Sequence, residues 1–215
     1  NGIIQELTGL LKTKSIGTDS DRALLLDFQA TLETKPEKAI KLEKDALAQI
    51  ENITADNARL VSNLHANLGG LYRMNGHPDL AREHMEKSIS LLDQFNLLHI
   101  NDSIPQIANY AMFLTEQQEP ERGISELQKL SGIIKEYHSD DCLDYAKVQE
   151  TLGTIYLMTA NLPQAKTHFK RAFKIYEKIW ADEPEMIEAK YQEIQELYPQ
   201  IGFCIGKNLS GLLTK

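Results

Sequence analysis

The sequence predicts an all-α fold, an α-solenoid in which antiparallel helix hairpins stack on one another. Three observations carry this prediction. The chain of 215 residues contains an internal repeat with a period of 42 residues, its apolar residues recur at helical spacing, and no segment alternates polar and apolar residues for long. Only an array of helices satisfies all three.

Prolines mark the repeat most clearly, because Pro36, Pro78 and Pro120 follow one another at intervals of 42 residues. An acidic residue follows each of them, and the fourth copy slips by one position to Pro163. Proline in the first turn of a helix removes no hydrogen bond, and an acid beside it meets the positive end of the helix dipole. These four sites therefore predict four helix starts.

Small and apolar residues form further columns with the same period. The small column consists of Ala39, Ala81, Gly123 and Ala165. An apolar column lies upstream, at Leu26, Leu68, Tyr110 and Leu152. A small residue lets two helix backbones approach while larger apolar side chains fill the space beside them, so the columns predict closely packed helix pairs.

Helix boundaries follow from the prolines and from the apolar spacing. We predict helices at 2–14, 19–33, 36–52, 55–75, 78–94, 97–117, 120–136, 142–160, 163–181 and 183–197.

Two copies resemble the consensus of the tetratricopeptide repeat (TPR). Residues 68–72 read Leu-Gly-x2-Tyr and are followed at 81–85 by Ala-x3-Met, and residues 152–156 and 165–169 match the same pattern with phenylalanine last. The first and third copies match less well, and the period is longer than the usual 34 residues. It resembles the long repeats of kinesin light chains and of bacterial peptide-sensing regulators of the Rap and PlcR type.

The resemblance implies a right-handed superhelix and a division of the chain into three regions. These are an N-terminal helix within 1–18 that packs on the array, four TPR-like repeats over 19–181 (about 19–54, 55–96, 97–138 and 139–181), and capping helices or a truncated further repeat over 182–215.

The resemblance also implies a binding groove on the concave wall, which the first helix of each hairpin lines. In such arrays an asparagine before the Leu-Gly pair often bonds a peptide backbone, and this column holds Leu25, Asn67, Asn109 and Thr151. The alternative is that Asn67 and Asn109 only bridge neighbouring helices. The other predicted wall residues are Asn63, Ala66, Gly70, Arg73, Met74, Ala108, Met112, Thr115, Glu116, Lys147, Glu150, Thr154 and Met158.

Composition narrows the class of partner. A net charge of −8 argues against nucleic-acid binding, and no apolar run is long enough to span a membrane. Cys142 and Cys204 lack the spacing of a metal or redox motif, so we predict no cofactor and no metal site, and low cysteine usage favours a cytoplasmic location. Because the sequence starts with Asn1, we expect a fragment of a longer protein.

These patterns predict a protein-interaction module that holds a peptide or a partner segment in the groove. The sharper form of this prediction is the sensor part of a bacterial regulator. The alternative is a structural scaffold that self-associates, for instance as a homodimer, or docks a folded partner through its ends, with the apolar stretch 201–205 as a candidate contact. No catalytic motif is present, so we do not expect an enzyme.

Overall fold

The computed structural model describes residues 17–197, which contain nine α-helices and no β-strand. The helices are α1 (Asp19–Thr31), α2 (Pro36–Leu47), α3 (Ala58–Met74), α4 (Pro78–Gln94), α5 (Ser103–Glu116), α6 (Pro120–Tyr137), α7 (Leu143–Met158), α8 (Leu162–Ile179) and α9 (Pro184–Leu197). They belong to two compact units, the first ending at Gln106 and the second beginning at Ile107. The predicted helix at 2–14 and the segment 201–205 lie outside the described residues, and the repeat boundaries stay a prediction.

The predicted helix starts at the prolines are confirmed. Helices α2, α4 and α6 begin at Pro36, Pro78 and Pro120, and Pro163 is the second residue of α8. The side chain of Asn161 accepts a hydrogen bond from the backbone N–H of Gln164, which caps α8. Each proline thus stands where a helical N–H has no partner within the helix.

Helix α5 starts six residues later than predicted. Its third residue is Pro105, which has no N–H and is accommodated only in the first turn. The hydroxyl of Ser103 donates to the carbonyl oxygens of Leu98 at 2.6 Å and Ile100 at 2.8 Å, and so fixes the preceding turn. The prediction of one helix over 97–117 overlooked this proline.

Helix α2 ends at Leu47, whereas the predicted helix continued to residue 52. The backbone N–H groups of Gln49 and Ile50 bond to the carbonyls of Ala46 and Leu47, three residues back. Such tighter bonds are typical of a helix C-terminus, where the last carbonyls lack α-helical partners.

In the first unit, α1 packs on α2 and α3 packs on α4. Ala39 and Ala81 of the small column are buried, as predicted. Gly69 shows how close the second pair is, because a Cβ atom built there would lie 2.6 Å from Cγ of Met85. Side chains of this pair therefore fill the space that a methyl group would need.

The second unit repeats this packing. A Cβ atom on Gly123 would lie 2.7 Å from the carbonyl oxygen of Ala111, and one on Gly153 would lie 3.0 Å from the ring of Phe169. Ala165 is fully buried between α7 and α8. The prediction that the small column marks close helix contacts is confirmed in both units.

A polar bond also joins the two helices of the α3–α4 pair. Nδ1 of His65 lies 2.8 Å from Nδ1 of His84, and the ring of Tyr72 stacks on His84 with centroids 5.4 Å apart. Burial, followed by the positive charges of His84 and Lys87, lowers the pKa of His65 to about 4. Burial also lowers the pKa of His84, so the neutral pair is favoured.

The α7–α8 pair has the same arrangement with one substitution. Gln149 stands in the column of His65, and its Oε1 lies 2.9 Å from Nδ1 of His168. Tyr156 stacks on His168 with centroids 5.3 Å apart. This interhelical bond therefore contains one titrating group, His168, instead of two.

The histidine pair predicts that the chain loses stability as the pH falls from about 6.5 to about 4. Over this range the unfolded state binds more protons than the folded state, because the folded pKa of His65 is the lower one. We expect His65→Gln to reduce this loss, by up to about 3 kcal/mol at 1.4 kcal/mol per pKa unit. Urea unfolding at a series of pH values measures this loss of stability. Gln149→His is the reciprocal variant and should make stability fall more steeply with decreasing pH. Equal pH dependence of stability in the wild type and both variants would contradict the assignment of this loss to the histidine pair.

Candidate functional site

Asn67, the first asparagine of the predicted column, is bonded to two other helices of its unit. Its Nδ2 donates to Oδ1 of Asp27 on α1 at 2.8 Å and to Oε1 of Glu43 on α2 at 3.2 Å. This is the bridging role that the sequence left open as the alternative. A contact of Asn67 with a peptide stays a prediction.

Glu43 is a buried acid that the sequence reasoning missed. It is 1% exposed, and its Oε2 has no hydrogen-bond partner among the described residues. Burial and the negative charge of Asp27 raise the pKa of Glu43 to about 8, against the opposing effect of the bond from Asn67. A signal was present in the repeat, since the same column holds the buried residues Met85, Leu127 and Phe169 in the other copies.

Asn63 is likewise occupied within the first unit. Its Oδ1 accepts a hydrogen bond of 2.6 Å from Nε2 of Gln106, and its Nδ2 lies 3.4 Å from Oδ2 of Asp102. Oε1 of Gln106 accepts from the buried hydroxyls of Ser62 at 2.9 Å and Ser88 at 2.6 Å. No sequence pattern indicated this network, whose members come from three helices.

In the second unit, α5, α7 and α9 border one cavity of about 230 Å³. Six residues of the predicted wall line it, namely Ala108, Asn109, Met112, Glu150, Thr151 and Thr154. Glu193 and Ile194 of α9 complete the lining and were not predicted. Glu116 and Lys147 are exposed and do not border this cavity, while Asn63, Asn67 and Arg73 belong to the first unit.

The cavity combines apolar surface with a few polar groups. Met112 and Ile194 supply apolar area, and Asn109 is exposed with an amide that can both donate and accept. The hydroxyl of Thr151 donates to the carbonyl oxygen of Lys147 at 3.0 Å, which leaves its lone pairs as acceptors. An arrangement of this kind suits a short peptide segment, in which side chains and backbone amides alternate.

Glu150 connects the cavity to the helices behind it. Its Oε2 accepts a hydrogen bond of 2.6 Å from the Tyr176 hydroxyl, and its Oε1 lies 3.0 Å from Nζ of Lys190. Burial lowers the pKa of Lys190, but the carboxylates of Glu150 and Glu193 raise it by more, so it lies above its usual value. Burial and Glu150 also raise the pKa of Tyr176. These bonds hold α9 in place as a wall of the cavity.

Within residues 17–197, no three His, Cys, Asp or Glu side chains are grouped so that they could hold a metal ion. The same residues include no helix whose length and hydropathy would suit a membrane span.

Comparison with known families identifies the repeat. Residues 103–178, which include α5 to α8, match the model of the tetratricopeptide repeat family. This part of the chain carries tetratricopeptide repeats. This match includes every cavity residue from α5 and α7 and confirms the resemblance that the sequence motifs indicated. A search of curated protein sequences found no match to this chain.

Solved structures confirm the TPR-like, all-α fold class. BtubC (BKLC) from P. vanneervenii is 19% identical, with a TM-score of 0.66 over 81% of this chain and 70% of that one. Two crystal structures of TPR-like repeats, named after a kinesin light chain of Podosopora anserina, are 14% and 15% identical, with TM-scores of 0.67 and 0.65. They cover 84% and 83% of this chain and each aligns over 90% of its own length. The TPR fold generally mediates protein–protein interactions and is generally a non-enzymatic scaffold.

Proposed function

We propose that this chain is a protein-interaction module whose cavity between α5, α7 and α9 holds a peptide or a segment of a partner protein. The observation that carries the proposal is the convergence of predicted wall residues on a single cavity. Among them, Asn109 and Thr151 share the column that pairs with a peptide backbone in related arrays, and both border this space.

The size and lining of the cavity support a short segment. About 230 Å³ is enough for one or two side chains, and Met112 is a flexible apolar group that adapts to different shapes. The Asn109 amide can pair with one peptide group of the ligand through both its N–H and its C=O. In the sharper form of the proposal, this binding makes the chain the sensor part of a bacterial regulator, a role that rests on the long period alone.

A scaffold that docks a partner through one end is the second candidate, and α1 favours it. Leu24, Phe28 and Leu32 lie one helical turn apart, and between 53% and 55% of each is exposed. Three adjacent exposed apolar side chains are typical of a surface that another protein covers. A dimer that appears in light scattering and is lost in Phe28→Ser would favour this candidate over the peptide-binding cavity.

Asn109→Ala tests the cavity. We expect it to weaken binding of a peptide by about fivefold to tenfold, since a hydrogen bond contributes about 1 kcal/mol. The probe is a heptapeptide selected from a random phage library on the wild-type chain, and calorimetric titration measures its affinity. Asn109 is exposed, so its truncation should leave the fold intact.

Gln128→Ala provides a matched control, because it removes an exposed amide from α6 in the same unit, outside the cavity. Its affinity for the selected peptide should equal that of the wild type. If Asn109→Ala and Gln128→Ala bind the peptide equally well, the cavity is not the binding site.

A further inference from the structure

Helix α8 has a charge opposite to that of the whole chain. The chain carries a net charge of −8, yet α8 contains five basic residues and one acid. The basic residues are Lys166, Lys170, Arg171, Lys174 and Lys178, and the acid is Glu177. All five basic residues are exposed.

Three of these cations surround a second cavity of the second unit, with a volume of about 470 Å³. Arg171, Lys174 and Lys178 line it from α8, and Lys135 lines it from α6. We call these four residues and the space between them the basic cleft. The cleft shares no lining residue with the cavity of Asn109.

Apolar groups form part of the cleft. Ile175 is buried beneath it, and the ring of Tyr145 lies 5.1 Å from Nζ of Lys135. The cleft therefore offers contacts to the aliphatic part of an acidic side chain as well as to its charge.

Two carboxylates of the chain already lie in the cleft. Oδ2 of Asp140 is 3.9 Å from Nζ of Lys135, and Asp141 forms a close ion pair with Lys178. The hydrogen bond and the charge of Lys178 lower the pKa of Asp141. The cleft is thus a favourable place for carboxylates, and four cations face only two of them. Among the described residues, Lys174 makes no ion pair.

We propose that the basic cleft binds a short acidic segment of a partner protein, with about four consecutive aspartate or glutamate residues. Arg171, Lys174 and Lys178 lie on one face of α8 and extend over about 10 Å at 1.5 Å per residue. Four consecutive residues of an extended peptide, separated by three steps of about 3.3 Å, cover the same distance. Lysine and arginine side chains are long and flexible, so one such segment can reach all three cations although its successive side chains point to opposite sides.

The charge distribution favours a short peptide over a nucleic acid. A long polyanion needs a basic stripe, whereas this chain is acidic overall and the cleft itself contains Asp140 and Asp141. A few carboxylates at the tip of an acidic loop or peptide can enter the cleft without approaching the acidic remainder of the surface.

Fluorescence polarisation tests the proposal with a labelled peptide that contains four glutamates between Gly-Ser flanks, at about 0.1 M salt. Lys174→Glu should weaken binding by about tenfold or more, because one attraction becomes a repulsion. Lys166→Glu is the matched control, with the same change of charge on the same helix. It lies outside the cleft, about 12 Å from Lys174 and about 7.5 Å from Arg171 along α8, so salt screens much of its charge and its effect should stay below about threefold.

Asp141→Asn separates a defined cleft from a general attraction between charges. It removes the carboxylate that competes for Lys178 and should tighten peptide binding by about threefold, an effect of the size of a surface ion pair. A peptide with glutamine in place of glutamate should not bind. Equal losses in Lys174→Glu and Lys166→Glu would overturn the proposal, as would tighter binding of a single-stranded oligonucleotide or a phosphopeptide through Lys174. Asn109→Ala should have no effect, which keeps this test independent of the other cavity.

Discussion

Replacing Gly123 with alanine is expected to lower the free energy of unfolding by up to about 2 kcal/mol. The new methyl group would lie 2.7 Å from the carbonyl oxygen of Ala111 and 3.1 Å from its Cα. These are backbone atoms, so two helices must move apart to relieve the contact, and overpacking of this kind costs about 1–3 kcal/mol. The higher helix propensity of alanine, about 1 kcal/mol, offsets only part of that cost.

Gly132 provides the control on the same helix. No atom lies within 4 Å of a Cβ built at this position, and the residue is exposed. Gly132→Ala should therefore raise the free energy of unfolding by about 0.5–1 kcal/mol through helix propensity alone. Urea unfolding followed by circular dichroism measures both variants. Changes of the same sign in the two would contradict a close helix approach at Gly123.

The repeat period made this pair of glycines distinguishable from the sequence. Gly123 stands in the column of Ala39, Ala81 and Ala165, which is small in every copy, whereas the column of Gly132 holds Lys174 in the fourth copy. Helix starts, small contacts and the apolar core depend on residue types that recur at fixed spacing. Sequence reasoning could therefore predict these parts of the fold.

Side-chain partners were harder to predict, and Asn67 and Asn109 show why. They share one column, yet Asn67 is bonded to Asp27 and Glu43, while Asn109 is exposed beside a cavity. A column fixes the face of the helix on which a residue lies. Its hydrogen-bond partner depends on residues of other helices that differ from the repeat pattern. Asp27 is an example, because its column otherwise holds glycine or alanine.

Two further features lay beyond the sequence patterns. The repeat phase is lost after residue 181, so nothing indicated that Glu193 and Ile194 of α9 would close the cavity. The net charge of −8 averages over the whole chain and conceals the positive charge of α8. Charge became informative only once helices α6 and α8 placed Lys135 and Lys174 around one space.

Glu43 is expected to change the stability of the fold with a pH dependence opposite to that of the histidine pair, and Glu43→Gln should remove this change. The pKa of Glu43 in the folded state is about 8, above the ordinary 4.5, so the folded state binds more protons between these values. Stability therefore falls as the pH rises from about 4.5 to about 8. The neutral glutamine removes this loss while keeping an oxygen that can accept from Asn67. The free energy of unfolding of the variant minus that of the wild type should therefore rise by up to about 3 kcal/mol between pH 4 and pH 7, at 1.4 kcal/mol per pKa unit.

The difference in the free energy of unfolding between variant and wild type isolates the effect of Glu43, because the contributions of His65 and His84 are the same in both proteins and cancel. Asp45→Asn is the control, an exposed acid on the same helix, and its difference from the wild type should stay flat from pH 4 to pH 8. A flat difference for Glu43→Gln would mean that the carboxyl is ionised in the fold without cost. Asn67 would then be bonded to two charged acids and would be fixed more firmly as a bridge. A difference that rises with pH instead shows that the folded state disfavours the ionised form of Glu43. A peptide group that displaced the Asn67 amide would then change the protonation of Glu43.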